Sequence, residues 1–230
     1  MLTPDETDPI FADLFGLNEK ENRSHDLCQE IDAAAGVGNA AQIIKLLNDY
    51  EQHYDQHNDC VMRVLLGNTF RSSCENGYVE CAKILMPFVD ENHIFHALLA
   101  TAKNGHTQVL EFLLPLYKWA NAYTKKAVLC NAALSPSVAA FKTVLPYVPS
   151  KTHRTEALRE ACKANNQAIF DLLYPLSNPQ SALKYMEQRK TVTEEEKQML
   201  KDAITAEQQK KVLTQAVGDT NNRSTRALKI

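Results

Sequence analysis

The sequence predicts an all-α fold: a solenoid of helix-turn-helix units with short loops and a helical C-terminal cap. Three observations predict it. Turn residues recur at Gly38, Gly77, Gly105, Pro136 and Asn165, spaced by 28 to 39 residues, a period that marks repeat architectures. Around these anchors the residue types align in columns. Ten positions after the anchor, proline follows in four of the five units: Pro87, Pro115, Pro146 and Pro175.

The columns justify the elements. Seven before each anchor stand Ile31, Phe70, Leu98, Leu129 and Leu158, all large and apolar. Three before stand Ala35, Cys74, Ala102, Ala133 and Cys162, all small. Five after stand Ile43, Ala82, Leu110, Phe141 and Phe170, and eight after stand Leu46, Leu85, Leu113, Val144 and Leu173. Apolar residues three, four and seven apart on either side of a turn describe two amphipathic helices facing one another. The small column lets their backbones approach. Gly or Asn at the anchor supplies the positive φ that ends the first helix, and Pro136 demands a different turn in the fourth unit. The later proline cannot continue the second helix and turns the chain into a loop. Leu116 aligns with Phe88, Tyr147 and Leu176 and reads as core, as does Tyr117, aligned with Val89 and Val148.

In chain order, residues 1–23 form an acidic segment with one apolar island, Ile10-Phe-Ala-Asp-Leu-Phe-Gly-Leu17. It is expected to cap the first repeat; the alternative is a helical peptide that docks in a partner's groove. Residues 24–178 hold about five repeats. Residues 179–218 are expected to form a cap of three short helices: one over Ser181–Arg189, one after the capping box Thr193-Glu-Glu-Glu196, one after the similar Thr205-Ala-Glu-Gln208. The polar tail 219–230 is expected to be disordered.

At these residues the chain resembles the ankyrin-repeat family. Thr101-Ala-Lys-Asn-Gly-His-Thr-Gln-Val-Leu-Glu-Phe-Leu-Leu114 looks like the central ankyrin signature. Ser73-Cys-Glu-Asn-Gly-Tyr-Val-Glu-Cys-Ala-Lys-Ile-Leu-Met86 is a second copy, and Ala161-Cys-Lys-Ala-Asn-Asn-Gln-Ala-Ile-Phe-Asp-Leu-Leu-Tyr174 a third, with Asn for Gly. The repeats at 34–47 and 132–145 are looser. The Thr-Pro-Leu-His start of a standard repeat and the Asp-Gly turn of its β-hairpin finger are absent, so short irregular loops are expected in place of the fingers. The Leu-x-Pro-hydrophobic endings are similar to those of ankyrin-repeat effector proteins of intracellular bacteria such as Legionella. The resemblance implies a protein that binds other proteins, with a cytoplasmic location or delivery into a host cell's cytosol. Glu194–Glu196 and the polar tail are compatible with a secretion signal of such effectors.

Composition excludes other classes. The net charge of −3 argues against non-specific nucleic-acid binding, which needs a concentrated cationic surface. No apolar run approaches the roughly 18 residues that cross a bilayer, and the N-terminal residues lack the basic and apolar regions of a secretory signal peptide. Six cysteines without a Cys-x-x-Cys fit buried thiols better than disulfides. No cofactor is expected. Nucleotide-binding and hydrolase motifs are absent, and no enzyme is expected.

Several residues remain as candidates for chemistry. His53, Asp55, His57 and Cys60 form the one dense cluster of potential metal ligands, with His53 and His57 at helical i, i+4 spacing; a solvated loop is the preferred reading, and no metal site is expected. Cys74 and Cys162 fall in the small column, so inert burial is expected. His106 follows an anchor glycine, where a structural hydrogen bond is expected. Trp119 aligns with the polar Glu91, Ser150 and Asn178, a place where its counterparts face water. It and Tyr123 are the expected anchors of an interface, helped by Tyr78, His93 and Lys103. The leading expectation is a monomeric protein-binding module with a host protein as partner. The alternatives are a small metal-binding or enzymatic protein on a repeat scaffold and a self-assembling structural subunit.

Overall fold

The computed structural model describes residues 26–53, 60–116 and 121–227, with side chains for 26–50, 63–116 and 121–215. The chain divides into two compact units, Met1–Ala120 and Asn121–Ile230. The first contains α1 (26–36), α2 (Ala40–His53), α3 (Cys60–Glu75), α4 (Val79–Leu85), α5 (Glu91–Asn104) and α6 (Thr107–Leu113). The second contains α7 (Ala122–Leu134), α8 (Val138–Val144), α9 (Lys151–Lys163), α10 (Gln167–Leu173), α11 (Pro179–Glu187) and α12 (Glu194–Ala227). No strand occurs among the described residues. Within each unit the helices are paired and packed in chain order. First helices lie against first helices (α3 on α5; α7 on α9), and second against second (α2 on α4, α4 on α6; α8 on α10).

The turns follow the anchors. Gly38, Gly77 and Gly105 have φ of 72°, 83° and 83°, and Asn165 has φ of 50°. Among the described residues Asn165 is the one non-glycine in the left-handed region, which asparagine tolerates better than most residues. Before Pro136 the chain takes another route. Ser135 ends α7 in an extended conformation, φ −71° and ψ 144°, because a residue preceding proline is driven out of the helical region.

All twenty side chains of the four columns are buried, none more than 6% exposed. Burying each large apolar member contributes about 1.5–3 kcal/mol, so the columns are the core of each pair. Each of the four prolines is the middle residue of a single 3-10 turn: Met86–Phe88, Leu114–Leu116, Leu145–Tyr147 and Tyr174–Leu176. Proline has no N–H for the α-helical ladder, so the α-helix stops and the chain tightens. The first repeat carries Asn48 at that position, and α2 runs on for 14 residues, against 7 in α4, α6, α8 and α10.

One expectation about this turn is corrected. Leu116, Tyr147 and Leu176 are 41%, 44% and 38% exposed, and Phe88 is half-buried. Three residues per turn instead of 3.6 rotate this position off the core-facing stripe. In the last two units the following residue takes the inward place, Val148 and Ser177 at 2% and 5%, while Val89 is half-buried. Tyr117 lies outside the described residues.

Four first helices open on a side-chain cap. The side chains of Asp90, Asn121, Ser150 and Asn178 accept the backbone N–H of His93, Thr124, His153 and Ser181, so each loop supplies the cap of the next first helix. Beyond the repeats, α11 covers Pro179–Glu187, as the helix signal from Ser181 predicts. Thr193 and Glu196 close a reciprocal capping box: the Thr193 N–H donates to Glu196 Oε2 at 2.7 Å and the Glu196 N–H to Thr193 Oγ1 at 3.3 Å. The second box does not form. Thr205 Oγ1 donates instead to the Lys201 carbonyl four residues back at 2.8 Å, and α12 continues through it as one 34-residue helix to Ala227. No Gly or Pro interrupts residues 194–217, so nothing stops the ladder, and the threonine turns its hydroxyl back on the helix.

Candidate functional site

The position after each anchor does two jobs. Asn39, Ser137 and Asn166 cap their own second helix, accepting from Gln42, Ala140 and Ile169. Tyr78 and His106 make no side-chain cap. Their rings reach back over the preceding anchor: a Cβ placed on Gly38 would meet Tyr78 Cδ1 at 2.8 Å, and one on Gly77 would meet His106 Nδ1 at 2.7 Å. The other nitrogen of His106, Nε2, lies 2.8 Å from the Glu75 carbonyl, which also accepts from Asn104 Nδ2 at 2.9 Å. Thr101 Oγ1 donates to the Cys74 carbonyl beside it at 3.2 Å. In the second unit Asn166 Nδ2 donates to the Ser135 carbonyl at 2.7 Å. Within each unit, these repeats are thus tied turn to turn through carbonyls at the first helix's end.

Of the residues expected to bind a partner, Tyr78 is half-buried by its packing on Gly38. His93 lies against Gly67 of α3, so close that no Cβ could fit there. Its Nδ1 is 2.8 Å from Asp90 Oδ1 but has no partner in hydrogen-bonding alignment. The His93 backbone N–H, donating to Asp90, is the main cause that holds that carboxyl below its ordinary value. Lys103 is exposed in the last turn of α5. These three belong to the first unit. Tyr123 belongs to the second, is 66% exposed at the start of α7, and has the Lys126 ammonium 5.3 Å from its ring centre. Trp119 lies outside the described residues.

The second unit carries a denser polar surface. α7, α9 and α11 are successive neighbours there and bring together Lys126, Glu156, Arg159, Tyr185 and Arg189. Glu156 Oε2 is 3.2 Å from Lys126 Nζ and 3.9 Å from an Arg159 nitrogen. The Arg159 guanidinium lies over the Tyr185 ring, 3.6 Å from its centre, and that of Arg189 lies 4.8 Å from the same centre. Arg189 also donates to the Tyr185 hydroxyl. The sequence patterns single out none of Arg159, Tyr185 and Arg189. Tyr185 lies on α11 and Arg189 just past its end; α11 lies outside the repeat columns, and nothing in the sequence sets its register against α9.

Elsewhere among the described residues the material for chemistry is thin. A depression of ≈ 170 Å³ between α1 and α3 is lined by Cys28, Gln29, Asp32, Leu65, Asn68 and Thr69, and Thr69 Oγ1 donates to Asp32 at 3.0 Å. Among the described residues no three His, Cys, Asp or Glu side chains come together as metal ligands. Asp55 and His57 and the side chains of His53 and Cys60 lie outside the described residues. Burial pushes the Cys74 and Cys162 thiols up to about 12; Cys130 reaches about 12 by burial first, then by the charges of Glu160 and Glu156. Thiols held protonated are poor nucleophiles. Among the described residues no helix is long and apolar enough to cross a membrane.

With this geometry in place, comparisons with family models, curated proteins and solved structures found no match to the chain. What the molecule shows by itself is an all-helical protein of paired, repeat-like units.

Proposed function

We propose that the chain is a protein–protein interaction module built on degenerate ankyrin-type repeats, and that it acts as a bacterial effector binding a host protein rather than as an enzyme. The observation that carries this reading is the division of labour along the repeats. The four columns and the turn-to-turn hydrogen bonds hold each unit together, and the first helices are left with exposed charged and aromatic side chains that the core does not use. Tyr123 on α7, at 66% exposure, is the clearest case; beyond the repeats, Tyr185 and Arg189 are exposed beside the partly buried Arg159 of α9. Such residues are the usual anchors of interfaces, and a standard one buries about 800 Å² on each side. The positive-φ turns and the small column support the ankyrin assignment; the short capped loops take the place of the family's fingers. Thiols held protonated at Cys74, Cys130 and Cys162 favour binding over catalysis.

The test is capture of partners from a eukaryotic cell lysate by the wild type and by a folded Trp119→Ala/Tyr123→Ala double variant. A protein retained by the wild type and lost from the variant supports the module and puts its interface at those residues. Equal retention moves the interface to another surface. No specific capture overturns the host-binding reading.

A further inference from the structure

The α7–α9–α11 face contains two cations with more donors than the described residues satisfy. Arg159 is 14% exposed in its side chain, yet its closest charged contact is Glu156 at 3.9 Å, too long for a hydrogen bond. Lys126 sits closer to that same carboxylate oxygen, at 3.2 Å. The Arg159 guanidinium makes no hydrogen bond among the described residues. Its guanidinium is nevertheless held in place, because its central carbon lies over the Tyr185 ring, 3.6 Å from the ring centre, a separation that suits a face-on approach. Stacking uses the π face and leaves the in-plane N–H edges free for an acceptor. Arg189 is tied to the same residue by its bond to the hydroxyl. One tyrosine therefore positions two guanidinium groups. Glu160, the other acidic residue of α9, is engaged by Lys163 at 2.8 Å, leaving the single carboxylate of Glu156 to serve Lys126 and Arg159.

We propose that this face receives an acidic segment of a partner protein, a side-chain carboxylate of the partner accepting hydrogen bonds from Arg159 and Arg189 beside Tyr185. The proposal rests on the binding-module reading and names the chemistry of its partner. A carboxylate fits because its two oxygens match the planar donor edge of a guanidinium, and because Arg159, already ordered, loses little side-chain entropy on binding. A phosphate dianion fits less well. Glu156 lies within the cluster and repels a double charge about twice as strongly as a single one. The chain's net charge of −3 likewise offers no broad field for a nucleic acid.

The probe is a fluorescein-labelled peptide of alternating Glu and Ser, titrated with the full chain at about 50 and about 200 mM salt, beside matched Gln and phosphoserine peptides. The Glu peptide is expected to bind, the Gln peptide not. Arg159→Gln and Arg189→Gln are each expected to weaken binding by about tenfold or more, while Lys142→Gln, an equal loss of charge at an exposed site on α8, changes it less than about twofold. Thermal melts check folding; should Arg159→Gln fail to fold, Arg189→Gln at its exposed position carries the test alone. Equal binding by all variants, or no binding of the Glu peptide, overturns the proposal. Tighter binding of the phosphoserine peptide overturns the carboxylate assignment in favour of phosphate. Failure of the peptide alongside specific lysate capture by the wild type removes this site and leaves the module standing.

Discussion

The imidazole of His106 rests on the backbone of Gly77. A Cβ on Gly77 would lie 2.7 Å from His106 Nδ1, and the ring's Nε2 lies 2.8 Å from the carbonyl of Glu75, two residues before that glycine. Gly77 is required twice over: its φ of 83° suits no Cβ, and the ring of the next repeat occupies the place a Cβ would take. Gly77→Ala is expected to cost about 1–3 kcal/mol, read as a lower urea midpoint. In the His106→Ala background the ring clash is gone and only the φ strain remains, so the second loss should be smaller. Equal losses in both backgrounds would show that the ring contact contributes nothing.

Leu113 tests the register of the columns. It is fully buried in α6, so Leu113→Ala is expected to lower the unfolding free energy by about 2–5 kcal/mol. A loss below about 0.5 kcal/mol, the size of an ordinary surface change, would contradict the inter-helix core.

The thiols of Cys74 and Cys162, buried, and of Cys130, half-buried, predict an alkaline weakness. Cys74, Cys130 and Cys162 are raised from 9.0 to about 12. A group whose folded pKa is raised contributes stability that is fully present below its unfolded value and lost as pH rises toward the folded one. Urea midpoints are therefore expected to hold up to about pH 8 and to fall between about 9 and 12. At about pH 8 a thiol reagent should label these three cysteines in the folded chain far more slowly than in urea.

Glu194 titrates in the opposite sense. Hydrogen bonds from Lys197 and Lys201, at 2.8 and 2.6 Å, hold its carboxyl at about 2. Its contribution is present above the ordinary carboxylate range and lost as pH falls through about 2. Carbon-detected NMR should find the Glu194 carboxyl titrating below the other glutamates. Lys201→Gln should move it upward, and an unmoved value would refute the pairing.

At the other end of the second unit, Tyr174 ties the 3-10 turn after α10 to α12. Its hydroxyl donates to Glu207 Oε2 at 2.9 Å, and burial, then this bond, raise it to about 12. Tyr174→Phe is expected to cost about 0.5–1.5 kcal/mol. Hydrogen exchange should be faster in α12 around Glu207, with the amides of α9 unchanged.

Most of the helix pairing is legible in the amino-acid sequence because it is local. Glycine or asparagine at an anchor, a small residue three before it and a proline ten after it act on the backbone within a few residues. Gly38, Gly105 and Asn165 accordingly take up positive φ, and the column residues are buried. Where a longer-range choice is needed, residue type misleads. Leu116 resembles a core residue by type, but the rotation of the 3-10 turn leaves it exposed. Thr205 carries the letters of a capping box, yet an uninterrupted ladder on both sides keeps it inside α12.

Residue type at fixed short spacing thus suffices for the repeat, the turns and the core columns, and the resemblance carried by those same residues raises the expectation of a binding protein. That His106 lies on Gly77 and that Arg159 shares Tyr185 with Arg189 emerges only from the folded chain. Those contacts join residues far apart in the chain, and their register depends on how whole helices pack, a quantity that no single helix's pattern encodes.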